Sequence, residues 1–172
     1  MYDAHAPTDV DPTAPKPQRY AELVDRVRAL VDGEPDAIAN LANVAAELHA
    51  WLPDLNWVGF YLLKGDELVV GPFQGRPACT RIALGRGVCG TAAATGSSQV
   101  VPDVAAFPGH IACDARSRSE VVVPVVIGGG VVAVLDLDSP SLGRFDDADR
   151  AGLEAVVAAL APLIDWGQAT RR

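Results

Sequence analysis

The chain has 172 residues, 49% of them hydrophobic, with 22 acidic against 14 basic side chains and a formal charge of -8. That length supports one sizeable core rather than two, and the acidity argues against a nucleic-acid partner, because such proteins need a basic face to displace counterions. The longest apolar run, residues 120–135, is broken by Pro124 and by Gly128, Gly129 and Gly130, so it is too short to cross a bilayer.

Residues 1–17 contain Pro7, Pro12, Pro15 and Pro17 and almost no large apolar side chain, the composition of a disordered lead. The same segment is acidic where a secretory signal would carry a basic patch and then an apolar stretch, which makes a cytoplasmic location the expectation. A single domain is expected over residues 18–168. Its first helix is marked by Tyr20, Leu23, Val24, Val27, Leu30 and Val31 at helical spacing and stopped by Gly33. Pro35 suits the first turn of a second helix, with the stripe Ile38, Leu41, Ala45, Leu48 and Leu52 ending before Pro53. The two helices are expected to pack together.

Aromatic and branched residues then take over. Residues 56–63 and 68–73 read as two strands joined by a turn at residues 64–67, and a short strand fits residues 79–84. The alanine run of residues 90–95 is helix-forming and is closed by Gly96, and Val100 and Val101 suggest a brief strand. Residues 102–119 form a connection rich in Asp, Ser, Gly and Arg, and loops of that length in compact domains tend to be functional. Two strands, residues 120–127 and 131–138, flank three glycines able to adopt the positive dihedrals of a tight hairpin. A last helix is capped by Asp146 or Asp147 and carries Leu153, Val156, Val157, Leu160, Leu163 and Ile164. Strands bracketed by helices, rather than alternating with them, predict an α+β domain with an antiparallel sheet.

Three cysteines, Cys79, Cys89 and Cys113, cannot form a fully paired intramolecular framework; in a reducing compartment they are thiols at rest or reversible disulfides. Their spacing matches neither a zinc knuckle nor a thioredoxin motif. Cys113 lies in the long loop with Arg116 and Arg118 just after it, and a nearby cation favours the attacking thiolate, so Cys113 is the best nucleophile candidate. Cys89 directly precedes the alanine-rich helix, whose free backbone N–H groups would also favour an anion, and it can serve as nucleophile or resolving thiol. Cys79 follows a glycine- and proline-rich stretch and reads as a resolving thiol. His110 admits three readings: partner of Cys113, fourth zinc ligand beside the thiols, which the long spacings disfavour, or a donor to a loop carbonyl.

The acidic residues make a second constellation. Asp136 and Asp138 are two apart on one predicted strand and so share a face, while antiparallel pairing across the glycine turn brings Glu120 near them. Three carboxylates crowded together resist simultaneous ionisation, which suits an acid or an ammonium clamp. A solvent-facing strand end explains them equally well. Trp57 and Tyr61 share one face of the first strand, as a pocket wall or as core.

The motifs Asn56-Trp-Val-Gly-Phe-Tyr61, Gly71-Pro-Phe-Gln-Gly75, Gly85-Arg-Gly-Val-Cys-Gly-Thr-Ala92, Gly109-His-Ile-Ala-Cys-Asp114, Ser119-Glu120 and Leu135-Asp-Leu-Asp-Ser139 together resemble the free methionine-(R)-sulfoxide reductases, stand-alone GAF-domain enzymes. Ala133 stands where that family is expected to carry glycine. The resemblance implies a GAF-like central antiparallel sheet, with N- and C-terminal helices on one face and a ligand pocket under loops on the other. It also implies reduction of free L-methionine (R)-S-oxide through a cysteine sulfenic acid and an intramolecular disulfide, with no bound cofactor, no metal, and thioredoxin as external reductant. On the matching positions Cys113 looks like the attacking thiol, Cys79 its main resolving partner and Cys89 an auxiliary one. Trp57, Tyr61, Glu120, Asp136 and Asp138 match the substrate pocket. A homodimer through the N-terminal helices is compatible with the resemblance and not demanded by the residues. The competing expectations are a GAF-type small-molecule sensor and a thiol redox switch. Sensors usually regulate an attached output domain, and none follows the last predicted helix, which inclines the expectation toward an enzyme.

Overall fold

A computed structural model describes residues 13–111 and 113–171. The elements run α1 (Lys16–Val31), α2 (Ala37–Trp51), β1 (Trp57–Lys64), β2 (Glu67–Gly75), β3 (Arg81–Ala83), α3 (Gly87–Thr95), β4 (Gln99–Val101), β5 (Ser119–Ile127), β6 (Gly130–Ser139), α4 (Asp147–Leu160) and α5 (Trp166–Ala169), with 3-10 turns at Val104–Ala106 and Ala161–Leu163. One six-stranded sheet is ordered β3-β2-β1-β6-β5-β4, and all its pairings are antiparallel. This is the expected α+β arrangement. None of the described helices is long and apolar enough to cross a membrane.

Alternation along the strands divides the core into two layers. Val58, Phe60, Leu62, Val121, Val123, Val125, Leu135 and Leu137 face the helical layer of α1, α2 and α4. Trp57, Tyr61, Val122 and Val134 face the other way, toward α3 and the long loop. The helical layer is pinned at Asp149, which is buried at the start of α4. It accepts hydrogen bonds from Tyr20 Oη at 2.9 Å and Lys16 Nζ at 2.6 Å and completes a capping box with Asp146. The central hairpin turns where the glycines require it: Gly128 and Gly129 have φ of +59° and +84°, and Ile127 pairs with Gly130.

Several boundaries differ from the sequence-based expectations. The expected lead of residues 1–17 lies mostly outside the described residues, and α1 already begins at Lys16 behind Pro15. Pro35 precedes α2 instead of entering it, because Asp36 is the cap and its Oδ1 accepts from the Ala39 N–H at 2.9 Å. Ile38 and Leu163, placed on buried stripes, are each 46% exposed, while Ala37 and Val44 are fully buried. The third strand is only Arg81–Ala83, leaving Cys79 in a loop, and α3 starts three residues before the expected position at Gly90. The short α5 had no long periodic stripe to announce it.

Candidate active site

Strand register assembles the site. On β1 and β6, Trp57 lies opposite Asp138, Gly59 opposite Asp136 and Tyr61 opposite Val134. On β5 and β6, Glu120 lies opposite Asp138 and Val122 opposite Asp136. Glu120, Asp136 and Asp138 therefore gather with Trp57 and Tyr61 on one end of the sheet face, as their spacing predicts. Trp57 stacks between Tyr61, with ring centroids 5.8 Å apart, and Phe73, at 5.3 Å. Gly59 makes room for this slab, since a Cβ there would run into Phe73 and the Trp57 ring.

The pocket above these residues is closed by the first turn of α3 and by the loops carrying Cys79 and Cys113; Ile82, His110, Ile111 and Ser117 complete its wall. Cys79 and Cys113 are joined in a disulfide, with Cα atoms 5.5 Å apart across 34 residues of sequence. The Tyr61 hydroxyl donates to the Cys79 carbonyl at 3.0 Å, tying the Cys79 loop to the aromatic wall. Asn56, just before β1, donates through Nδ2 to Ser117 Oγ at 2.9 Å and to Asp114 Oδ2 at 3.4 Å. Ser117 in turn hydrogen-bonds Asp138. The long loop is thus stitched to the acidic end of the sheet.

Cys89 is the free thiol, and it is buried. Its place corrects the expectation of a helix-activated thiolate. Cys89 sits inside the first turn of α3 and points into the acid cluster, its thiol donating to Glu120 Oε1 at 3.9 Å. Burial, and then the charges of Asp136 and Glu120, push this thiol well above its ordinary range, which overrides the helix N-terminus. Of the two arginines expected to activate Cys113, Arg116 is differently engaged: it is held by Asp114 at 2.6 Å, so that cation is neutralised beside the cysteine. His110 lies 3.8 Å from Glu120 Oε2, a neighbour none of the three sequence readings named, and burial lowers its pKa.

The carboxyls themselves lean toward their protonated forms. Burial raises Asp136 to about 7, against opposing hydrogen bonds from Cys89 and Glu120. Burial, then the charges of Asp136 and Asp138, pushes Glu120 well above the carboxylate range, and burial followed by Asp136 does the same to Asp138. Three such groups titrate as a unit. The cluster can lend a proton to a reacting oxygen and, once ionised, hold an ammonium. Two buried atoms in the pocket wall, Trp57 Nε1 and Asp136 Oδ1, have no hydrogen-bond partner, so the wall offers a bound molecule one donor and one acceptor. Sequence reasoning missed Ser117 and the enclosing Ile82 and Ile111. Their role comes from loop placement, and no local pattern marks it.

Residues 34–165 match the family model described as GAF domain. The chain is 52% identical over 145 residues to the free methionine-R-sulfoxide reductase of Escherichia coli, which covers 84% of this chain and 88% of that one. It is 42% identical over 147 residues to the protein of the same name from Saccharomyces cerevisiae, covering 81% and 82%. Its backbone matches the X-ray structure of free methionine-R-sulfoxide reductase from Neisseria meningitidis in complex with its substrate with a TM-score of 0.88. That match has 42% identity and covers 99% of this chain and 100% of that chain.

Proposed function

The chain belongs to the free methionine-R-sulfoxide reductases, oxidoreductases built on a GAF domain, and on that premise we propose that it reduces the R-sulfoxide of free methionine at the pocket between the Trp57 slab, the acid cluster and the Cys79–Cys113 pair. The observation that carries this reading is the closure of Cys79 onto Cys113 at the pocket that also holds three carboxyls biased toward protonation.

A sulfoxide sulfur becomes electrophilic when its oxygen is protonated or strongly hydrogen-bonded. In the reduced enzyme the Cys113 thiolate attacks sulfur while a carboxyl of the Glu120, Asp136, Asp138 cluster gives its proton to the oxygen. A sulfur–sulfur bond forms as the sulfur–oxygen bond breaks and the protonated oxygen leaves as water. Water then adds to the Cys113 sulfur, the new sulfur–sulfur bond breaks, methionine leaves as the thioether, and Cys113 becomes a sulfenic acid while a proton returns to the acid cluster. The Cys79 thiol condenses with it, releasing water and forming the disulfide present in this structure. A second dithiol, for which we propose thioredoxin, reopens the bond by exchange and restores both thiols. The two electrons taken by the sulfoxide are those lost by Cys79 and Cys113, so this chemistry is complete without a prosthetic group.

In this reading Trp57 and Tyr61 enclose the methyl thioether, and an ionised member of the cluster receives the ammonium of the free amino acid. Cys89 is held protonated under the acids and serves as an auxiliary thiol. We take residues 18–168 as the catalytic unit and the reducing cytoplasm as its setting. The test is a coupled assay with NADPH, thioredoxin reductase and thioredoxin, supplied with free methionine R-sulfoxide, the S epimer, or the same sulfoxide inside a peptide. Consumption with the free R epimer alone is expected. A tight ligand without turnover would instead identify a sensor.

A further inference from the structure

We propose that Cys89, Glu120 and Asp136 form a binding site for a thiophilic divalent cation such as Zn2+, which excludes substrate from the same pocket. The Cys89 sulfur and one carboxylate oxygen from each acid lie within 4.8 Å of one another, and all three residues are buried. Among the described residues this is the one such grouping of potential ligands. A second observation falls at the same place: Asp136 Oδ1 is buried without a hydrogen-bond partner although the residue lines the pocket. An orphaned acceptor of that kind calls for a donor or a positive charge.

The donor set selects the ion. A thiolate with two carboxylates matches Zn2+ and its close relatives Co2+ and Cd2+, whereas Mg2+ and Ca2+ take six or more oxygens and disfavour sulfur. Zn–S and Zn–O bonds of about 2.3 and 2.0 Å put tetrahedral ligand atoms about 3.5 Å apart, so binding draws the three groups together by about 1 Å. The fourth position falls to water or to His110, whose Nε2 stands 3.8 Å from Glu120 Oε2. Binding exchanges protons for metal: Cys89 gives up its thiol proton, and each carboxyl gives up any proton it holds. Because Cys89 is free while Cys79 and Cys113 are bonded to each other, the site persists in the oxidised enzyme. Reduction adds the Cys113 thiol to the wall of the same pocket.

The competition with substrate rests on the reductase reading, since it is there that Glu120 and Asp136 meet the sulfoxide and the ammonium; the cation site itself does not. The experiment therefore has two arms. In the first, the oxidised full chain is titrated with Cd2+ and the ultraviolet thiolate-to-cadmium charge-transfer band is followed, with Zn2+ as competitor. One equivalent with the intensity of one thiolate is expected. Cys89→Ser should abolish the band, and Asp136→Asn, with folding checked by circular dichroism, should weaken binding at least about tenfold. No band at millimolar Cd2+, or an equal band in Cys89→Ser, overturns the site. In the second arm Zn2+ should raise the apparent KM for free methionine sulfoxide and leave kcat unchanged. An unaltered KM with the metal bound overturns the exclusion of substrate. Absence of turnover at any Zn2+ concentration counts against the reductase reading and leaves the charge-transfer result standing.

Discussion

Replacing Asp136 by asparagine tests the electrostatics of the site most directly. Burial moves this carboxyl from 3.8 to about 7, a shift worth about 4 kcal/mol at 1.36 kcal/mol per unit. Between about pH 4 and pH 7 the folded protein keeps a proton that the unfolded chain has released, so the folded state loses stability as pH rises through that window. The contribution is fully present below pH 4 and gone above pH 7. Asparagine keeps the shape, cannot ionise, and relieves Glu120 and Asp138 of the charge that disfavours their own ionisation. Asp136→Asn should therefore match the parent near pH 4. At pH 8 it should exceed the parent by up to about 4 kcal/mol, or about 10 °C in Tm for a chain of this size, while losing reductase activity. Urea unfolding at pH 4.5, 6 and 8 measures the slope. A variant destabilised equally at all three pH values, with the parent's pH dependence intact, would refute a proton held by burial.

Other outcomes follow from the same geometry. Cys113→Ser should abolish turnover, while Cys79→Ser should release one methionine per enzyme and then stall, as counted by mass spectrometry after a rapid quench; repeated turnover by Cys113→Ser with thioredoxin would reverse the assignment. Gly59→Ala forces a Cβ against Phe73 and the Trp57 ring, an overpacking that should lower stability by about 1 to 3 kcal/mol and raise KM for the sulfoxide. Reducing the Cys79–Cys113 bond reopens a 34-residue loop, so excess dithiothreitol should lower unfolding free energy by about 4 kcal/mol on the chain-entropy account; an unchanged Tm would show that the closed bond constrains the unfolded chain little.

Much of this site is legible in sequence because its assembly is local. The spacing of Asp136 and Asp138 puts both on one face, the glycine turn folds Glu120 back against them, and the alternation of Trp57 and Tyr61 adds the aromatic wall; strand period and hairpin geometry suffice for all of these. The helices of the opposite layer are legible for the same reason, though Ile38 shows that a stripe drawn one residue wide of the true face still looks periodic. The nature of each thiol is not local. Cys89 reads as a thiolate candidate from its helix, yet burial, and then the carboxyls 31 and 47 positions away that pack beneath it, push its thiol well above the ordinary range. Arg116 reads as an activator of Cys113 and is instead held by Asp114.

The sequence by itself determined the antiparallel α+β sheet, the gathering of acids at one end of it and, through its motifs, the family. Only the tertiary structure decided that burial pushes Cys89 and the three acids toward their protonated forms, that His110 faces Glu120, and that Asn56 and Ser117 fasten the long loop over the acids. Periodicity is a property of neighbours along the chain. Burial and electrostatic potential sum over every atom that folding brings close, and the sequence does not order those atoms.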